Sequence, residues 1–162
     1  MNELVLIGKI VSTHGIKGEL KVVSDFEYQD NAYKVGNVIL INNIDHKITS
    51  IRYHKNYILL GIDNLDNINL VLEYIGYNIY IKRVLLNLGD DEYLYSDLIG
   101  ASVMGNGKTL GKIIEIVKGN ANDFVRVKGE KEFLIPLIEN YIEKFDNNEK
   151  ILYTINAEEL IF

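Results

Sequence analysis

The chain has no cysteine, a single proline and only four alanines among its 162 residues. Without cysteine it can form no disulfide framework, no thiolate zinc site and no cysteine nucleophile. One proline and 13 glycines do not make a collagen-like or low-complexity chain. No apolar run approaches the roughly 20 residues that span a bilayer. The start, Met1-Asn2-Glu3, lacks the basic stretch of a secretory signal. A soluble, cytoplasmic protein with no membrane partner is therefore expected. What is present is 48% apolar and 25% charged residues. That is enough apolar surface to offset chain entropy, which excludes disorder throughout. The length suits one domain or two small ones.

The apolar residues favour strands. There are 24 Ile and 12 Val, with 11 Tyr and 5 Phe; β-branched and aromatic side chains fit a pleated surface. The 18 Asn accompany them in a bias that an AT-rich coding sequence also produces. Charge is divided unevenly. Residues 1–88 carry 9 Lys/Arg and 9 Asp/Glu, a net of zero, while residues 89–162 carry 8 and 14, a net of −6. An acidic half repels a phosphate backbone and attracts a basic protein, and it also aids solubility.

Along the chain, strands are expected at 4–11, 19–25, 37–42, 46–53 and 56–62, separated by Asn, Asp and Gly. One short helix is expected near 67–75. Asp66 would cap it, Ile68, Val71, Leu72 and Ile75 would share a face, and Gly76 would end it. A strand at 77–81 closes this half. The polar segment 87–92 is the linker candidate. Beyond it, strands are expected at 99–104, 110–117, 124–128, 133–135, 141–145 and 151–155, with Gly105-Asn106-Gly107 as a hairpin turn. The pattern suits two small barrels, or a barrel and a sandwich.

Few motifs carry chemistry. Gly107-Lys108-Thr109 ends like a phosphate-binding loop, but Ser102 stands where that loop needs glycine and a strand-like segment follows. The three histidines, His14, His46 and His54, have no partner at a metal-ligand spacing, and no nucleophile elbow is present. Catalytic residues, metal and cofactor are expected to be absent. Gly15-Ile16-Lys17-Gly18 is either a tight turn that uses glycine for positive φ, or a contact loop in which His14 and Lys17 meet a phosphate or an acidic side chain. Tyr93-Leu94-Tyr95 either packs against the second barrel or anchors a protein partner.

Two stretches together resemble the RimM family of ribosome maturation factors. The first is Gly8-Lys9-Ile10-Val11 with Thr13-His14-Gly15-Ile16-Lys17-Gly18-Glu19-Leu20-Lys21-Val22. The second runs from Tyr93 through Ser96-Asp97-Leu98-Ile99-Gly100 to Leu110-Gly111-Lys112-Ile113, Asn122-Asp123 and Ile135-Pro136. The resemblance implies an all-β fold of two small barrels joined by a short linker, with one short helix in the first. A translation-factor-like barrel would occupy 1–88 and a PRC barrel 93–162. It also implies a monomeric, non-enzymatic assembly chaperone for the small (30S) subunit. Such a chaperone would bind a basic ribosomal protein of the subunit head, support 16S rRNA processing and meet the free subunit or its precursor. The alternative is a barrel that acts directly on rRNA, with Lys9, Lys17 and Lys21 as candidate contacts. The site residues are then Tyr93 and Tyr95 as anchors, and His14, Gly15, Lys17 and Gly18 as a contact turn. Replacing both tyrosines by Ala is expected to weaken partner binding and leave the fold intact. The sequence departs from the family pattern at Leu94 and Tyr95, which stand where a second Tyr and a Trp are usual. It departs again at its end, Leu160-Ile161-Phe162, where the apolar residues would still plug the barrel.

Overall fold

A computed structural model describes residues 3–162, and the chain parts into two compact units between Asn87 and Leu88. The first unit contains strands β1 (Leu4–His14), β2 (Glu19–Val23), β3 (Val38–Ile41), β4 (Ile44–His54), β5 (Tyr57–Ile62) and β6 (Asn78–Lys82). They close into a barrel in the order β1-β2-β5-β4-β3-β6, and every neighbouring pair is antiparallel. Closure leaves no unpaired strand edge. Alternation fills the interior: Val5, Ile7, Ile10, Leu20, Val22, Ile39, Ile41, Ile79 and Ile81 are all buried. Bulges in β1 and β4 bend the long strands around the barrel.

The helix expected near 67–75 is not formed. Two 3₁₀ turns, Ile68–Leu70 and Leu72–Tyr74, replace it, and Val71 at φ −119° interrupts them. Asn67, not Asp66, caps the first turn by accepting a hydrogen bond from the Asn69 amide at 2.8 Å. Of the four residues of the expected apolar face only Val71 is buried, while Leu72 and Ile75 are 47% and 40% exposed. Asn and β-branched residues are weak helix formers, and a segment that buries one side chain gains too little packing to overcome that. Gly76 does end the segment, at φ +94°. The helix of this unit is instead α1 (Gln29–Ala32), which sequence periodicity did not mark. It is tied down by the Asn31 amide, which donates to the Leu86 carbonyl at 2.7 Å.

The second unit opens with α2 (Tyr95–Leu98) and continues with β7 (Ser102–Gly105), β8 (Lys108–Val117), β9 (Phe124–Lys128), β10 (Glu132–Pro136), β11 (Ile142–Asp146) and β12 (Ile151–Thr154). The sheet order is β10-β9-β8-β7-β12-β11, antiparallel except for the parallel pair β7–β12. Phe133 and Ile135 at one end of this order and Ile142 and Phe145 at the other pack on the same core, so the sheet wraps a single interior. Asn106 and Gly107, at φ +53° and +75°, make the β7–β8 turn. Both central residues being left-handed is the type I′ geometry that matches strand twist. Lys108 therefore begins a strand, as the hairpin reading of that motif requires. Leu160 and Ile161 pack on the core, but Phe162 is 91% exposed and plugs nothing.

Candidate interaction surfaces

The contact turn expected at residues 14–18 joins β1 to β2, with His14 paired to Glu19 across its base. Gly15 and Gly18 have φ of +70° and +82°, so both supply the left-handed backbone that the turn needs. Their surroundings differ. A Cβ on Gly15 would meet nothing within 4 Å, whereas one on Gly18 would stand 2.9 Å from the Asn67 carbonyl oxygen. Gly18 is thus a packing residue, and the turn is fastened there by the Ile68 amide donating to the Ile16 carbonyl at 3.0 Å. The free side of the turn presents Gly15, Lys17 and Ile16, the last 83% exposed.

His14 does not stand alone. Its ring lies 5.4 Å from that of His54, at the end of β4. Beside them Arg52 grips Glu19 with two bonds, Nε at 2.9 Å and Nη2 at 2.6 Å. The Arg52 hydrogen bond holds the Glu19 carboxyl below its usual range against a smaller upward push from burial, and the charges of Arg52, His14 and Lys17 act in the same downward sense. Sequence reasoning missed Arg52 and His54. They lie about 40 residues after the turn, and only the ladder through β5 brings them to it. The remaining histidine, His46, is buried and bonded through Nδ1 to Asp63 at 2.5 Å, which makes it part of the barrel wall.

Tyr93 and Tyr95 belong to the second unit. Both pack against its core and are half-buried. The Tyr93 ring sits 5.1 Å from that of Phe145, and burial raises its phenol pKa. The Tyr95 hydroxyl donates to Asp123 Oδ2 at 2.7 Å, and Lys118 Nζ lies 4.8 Å over its ring. Burial pushes the Asp123 carboxyl up, but the bonds from Tyr95 and the Gly119 amide and the charge of Lys118 outweigh it and hold it below its usual range. Leu94, between the two rings, is 1% exposed and fills the core. The expectation that both tyrosines can be cut to Ala without touching the fold is therefore corrected: each covers part of the core. Asp97 supports this edge, accepting from the Leu94 amide at 2.9 Å and from the Asn147 side chain at 3.1 Å.

Among the described residues no group of three or more His, Asp or Glu is arranged to hold a metal. None of their helices is long and apolar enough to cross a membrane. The surface features that remain are the basic turn of the first unit and the half-buried aromatic edge of the acidic second one.

Comparison with known proteins covers both units. The RimM N-terminal domain matches residues 5–86, and the RimM PRC barrel domain matches residues 95–160. Ribosome maturation factor RimM of Staphylococcus haemolyticus is 38% identical, over 97% of this chain and 98% of its own. The protein of the same name from Staphylococcus aureus is 37% identical, over 93% and 95%. A solved RimM structure from Pseudomonas aeruginosa is 26% identical, covers 98% of this chain and 100% of its own, and has a TM-score of 0.47. With both domains matched in order and nearly the whole length aligned, the chain belongs to the RimM family.

Proposed function

We propose that the protein is a ribosome maturation factor for the small (30S) subunit. On this reading it is a non-enzymatic chaperone that supports 16S rRNA processing by binding and release. Its functional domains are 1–88 and 93–162, the first ending one residue beyond the boundary between the two compact units. The second unit holds a basic ribosomal protein of the subunit head, with Tyr93 and Tyr95 as anchors. The first meets the free subunit or its precursor through the turn of His14, Gly15 and Lys17, whose backbone the buried Gly18 holds in place. The carrying observation is the near full-length likeness to proteins named ribosome maturation factor RimM. The charge division supports the choice of partner, since the whole net −6 lies after residue 88 and complementary charge speeds and orients protein encounter. Such a factor works by differential affinity: it favours the precursor conformation that it binds best, and it leaves when that conformation is gone.

Co-sedimentation with separated small subunits, large subunits and complete ribosomes tests the reading. Binding to free small subunits alone is expected, and equal binding to all three overturns it. Partner capture by the second unit is tested with purified basic ribosomal proteins and the variant Asp90→Asn/Asp91→Asn, whose sites are exposed and outside the core. Weaker binding at low salt is expected. The tyrosine variants are read beside their own unfolding curves, so that lost affinity is not mistaken for lost fold.

A further inference from the structure

One outer face of the barrel gathers cations and rings from four strands and two turns. The ladder pairs Ser12 with Lys21 and His14 with Glu19, Lys21 with Leu59, Leu59 with Arg52, and Tyr57 with His54. Residues directly opposite in a ladder share a face. The alternate residues Leu20, Val22, Ile58 and Leu60 are buried in the interior, so the first set lies on the outer side, where Leu59 alone is fully covered by its neighbours. On that face Lys21 Nζ lies 4.1 Å over the Tyr57 ring, the His14 and His54 rings are 5.4 Å apart, and Arg52 is held by Glu19. Lys17 and Lys55 stand in the two adjoining turns, whereas Tyr53, paired with the buried Ile58, belongs to the other side of β4. Four cations, Lys17, Lys21, Arg52 and Lys55, face one carboxylate, Glu19, for a local net of +3 in a unit whose total is zero.

We propose that this face binds single-stranded RNA, with the cations on its phosphates and the exposed rings against its bases. The inference rests on the maturation-factor reading, under which the partner of this unit is a ribosomal precursor, and it names the component that is touched. Cations interleaved with aromatic rings on the outside of strands are the arrangement that tracks a backbone while stacking bases. An acidic peptide would engage the cations and leave the rings unused. The Arg52–Glu19 bonds and the Lys21–Tyr57 contact hold two of the charges in place before binding, which lowers the side-chain entropy lost on association.

The test uses the full chain and a labelled single-stranded oligoribonucleotide of mixed sequence, titrated over a series of KCl concentrations. Affinity should fall steeply with salt. The variant Lys21→Gln/Lys55→Gln should lose about 1.4 of the log–log slope, at about 0.7 for each phosphate contact of a single strand. Lys128→Gln/Lys131→Gln in the second unit should leave the slope unchanged. Tyr57→Leu should weaken binding about tenfold at every salt concentration without altering the slope. An unaltered slope in the lysine variant overturns the proposal, as does a failure to bind the oligoribonucleotide at low salt. Displacement of the RNA by polyglutamate at comparable concentration overturns it in favour of an acidic protein partner. Co-sedimentation of the same variants with small subunits separates the two readings. If subunits bind and the oligoribonucleotide does not, the RNA face is wrong and the maturation role stands. If the oligoribonucleotide binds with the expected slope and subunits do not, the face stands without that role.

Discussion

The two units are built from the same strand-rich sequence but close their cores differently. The first is a barrel without edges whose interior is filled by fully buried Ile and Leu side chains, from Ile7 to Leu86. The second is a sheet with β10 and β11 at the ends of its order. Its fully buried residues include Leu98, Leu152, Ile113, Ile135, three Val and two Ala, and half-buried rings of Tyr93, Tyr95, Tyr141 and Phe145 pack against them. The comparison teaches that both units are held by an aliphatic interior, to which the second adds an aromatic rim. The same rim is the surface proposed for partner capture, so in the second unit binding and stability draw on the same side chains.

The largest expected effect is a core truncation in the barrel. Ile10 is 0% exposed, and Ile10→Ala should destabilise by about 2–5 kcal/mol. Native-state hydrogen exchange reads the units separately. Lost protection should be confined to β1–β6, and an equal loss in β7–β12 would show one cooperative body and break the comparison. Next is Asp97→Ala in the second unit. It leaves the Leu94 amide and the Asn147 side chain without their acceptor, at a cost of about 1–3 kcal/mol. Urea unfolding followed by tyrosine fluorescence should show it, with the barrel amides still protected.

The strands were legible because their apolar residues alternate and their turns are punctuated. Much of that punctuation is asparagine. Asn42, Asn43, Asn64, Asn87, Asn106 and Asn156 all adopt positive φ, a conformation that Asn tolerates better than most side chains. The abundance of Asn that composition left open thus has a structural use in the turns and caps. The short helices were not legible. α1 and α2 have four residues each, too few for a 3.6-residue period to register, and long-range bonds such as Asn31 to Leu86 hold the first. Of the candidate sites, the 14–18 turn was visible as a local motif. Its neighbours Arg52 and His54 were not, since only strand pairing through β5 places them there. The dual position of Tyr93 and Tyr95 was left open for the same reason, because burial depends on where Phe145 and Asp123 arrive.

Tyr95→Phe sharpens the rim argument. It keeps the ring and removes the bond to Asp123, for a loss of about 0.5–1.5 kcal/mol. The pH dependence follows from linkage. The folded state holds the Asp123 carboxyl below its usual range. Its contribution is therefore fully present above the unfolded pKa of about 4, and is lost as pH falls from there through the lower folded value. Tyr95→Phe lets the folded value rise, so unfolding curves below about pH 4 should depend less steeply on pH than in the parent protein. An unchanged acid limb would mean that Lys118 and the Gly119 amide alone set the carboxyl.

The smallest effect belongs to the barrel's own depressed carboxylate, and it tests whether the two units respond alike to charge. Glu19 is held down by Arg52 in an exposed setting, where the Arg52 side chain is 59% accessible. Solvent and salt screen such pairs, and most contribute little to stability. Replacing both residues, Glu19→Gln with Arg52→Gln, removes the pair without leaving an isolated charge. It should shift the unfolding midpoint only at low ionic strength and not at high salt. It should also flatten the acid limb of the barrel in the same sense as Tyr95→Phe does for the second unit, because both carboxyls lose stabilisation as they protonate. A loss as large as that of Asp97→Ala would show that the pair is shielded from water. The cations of this face would then be part of the barrel's support and not a free binding surface.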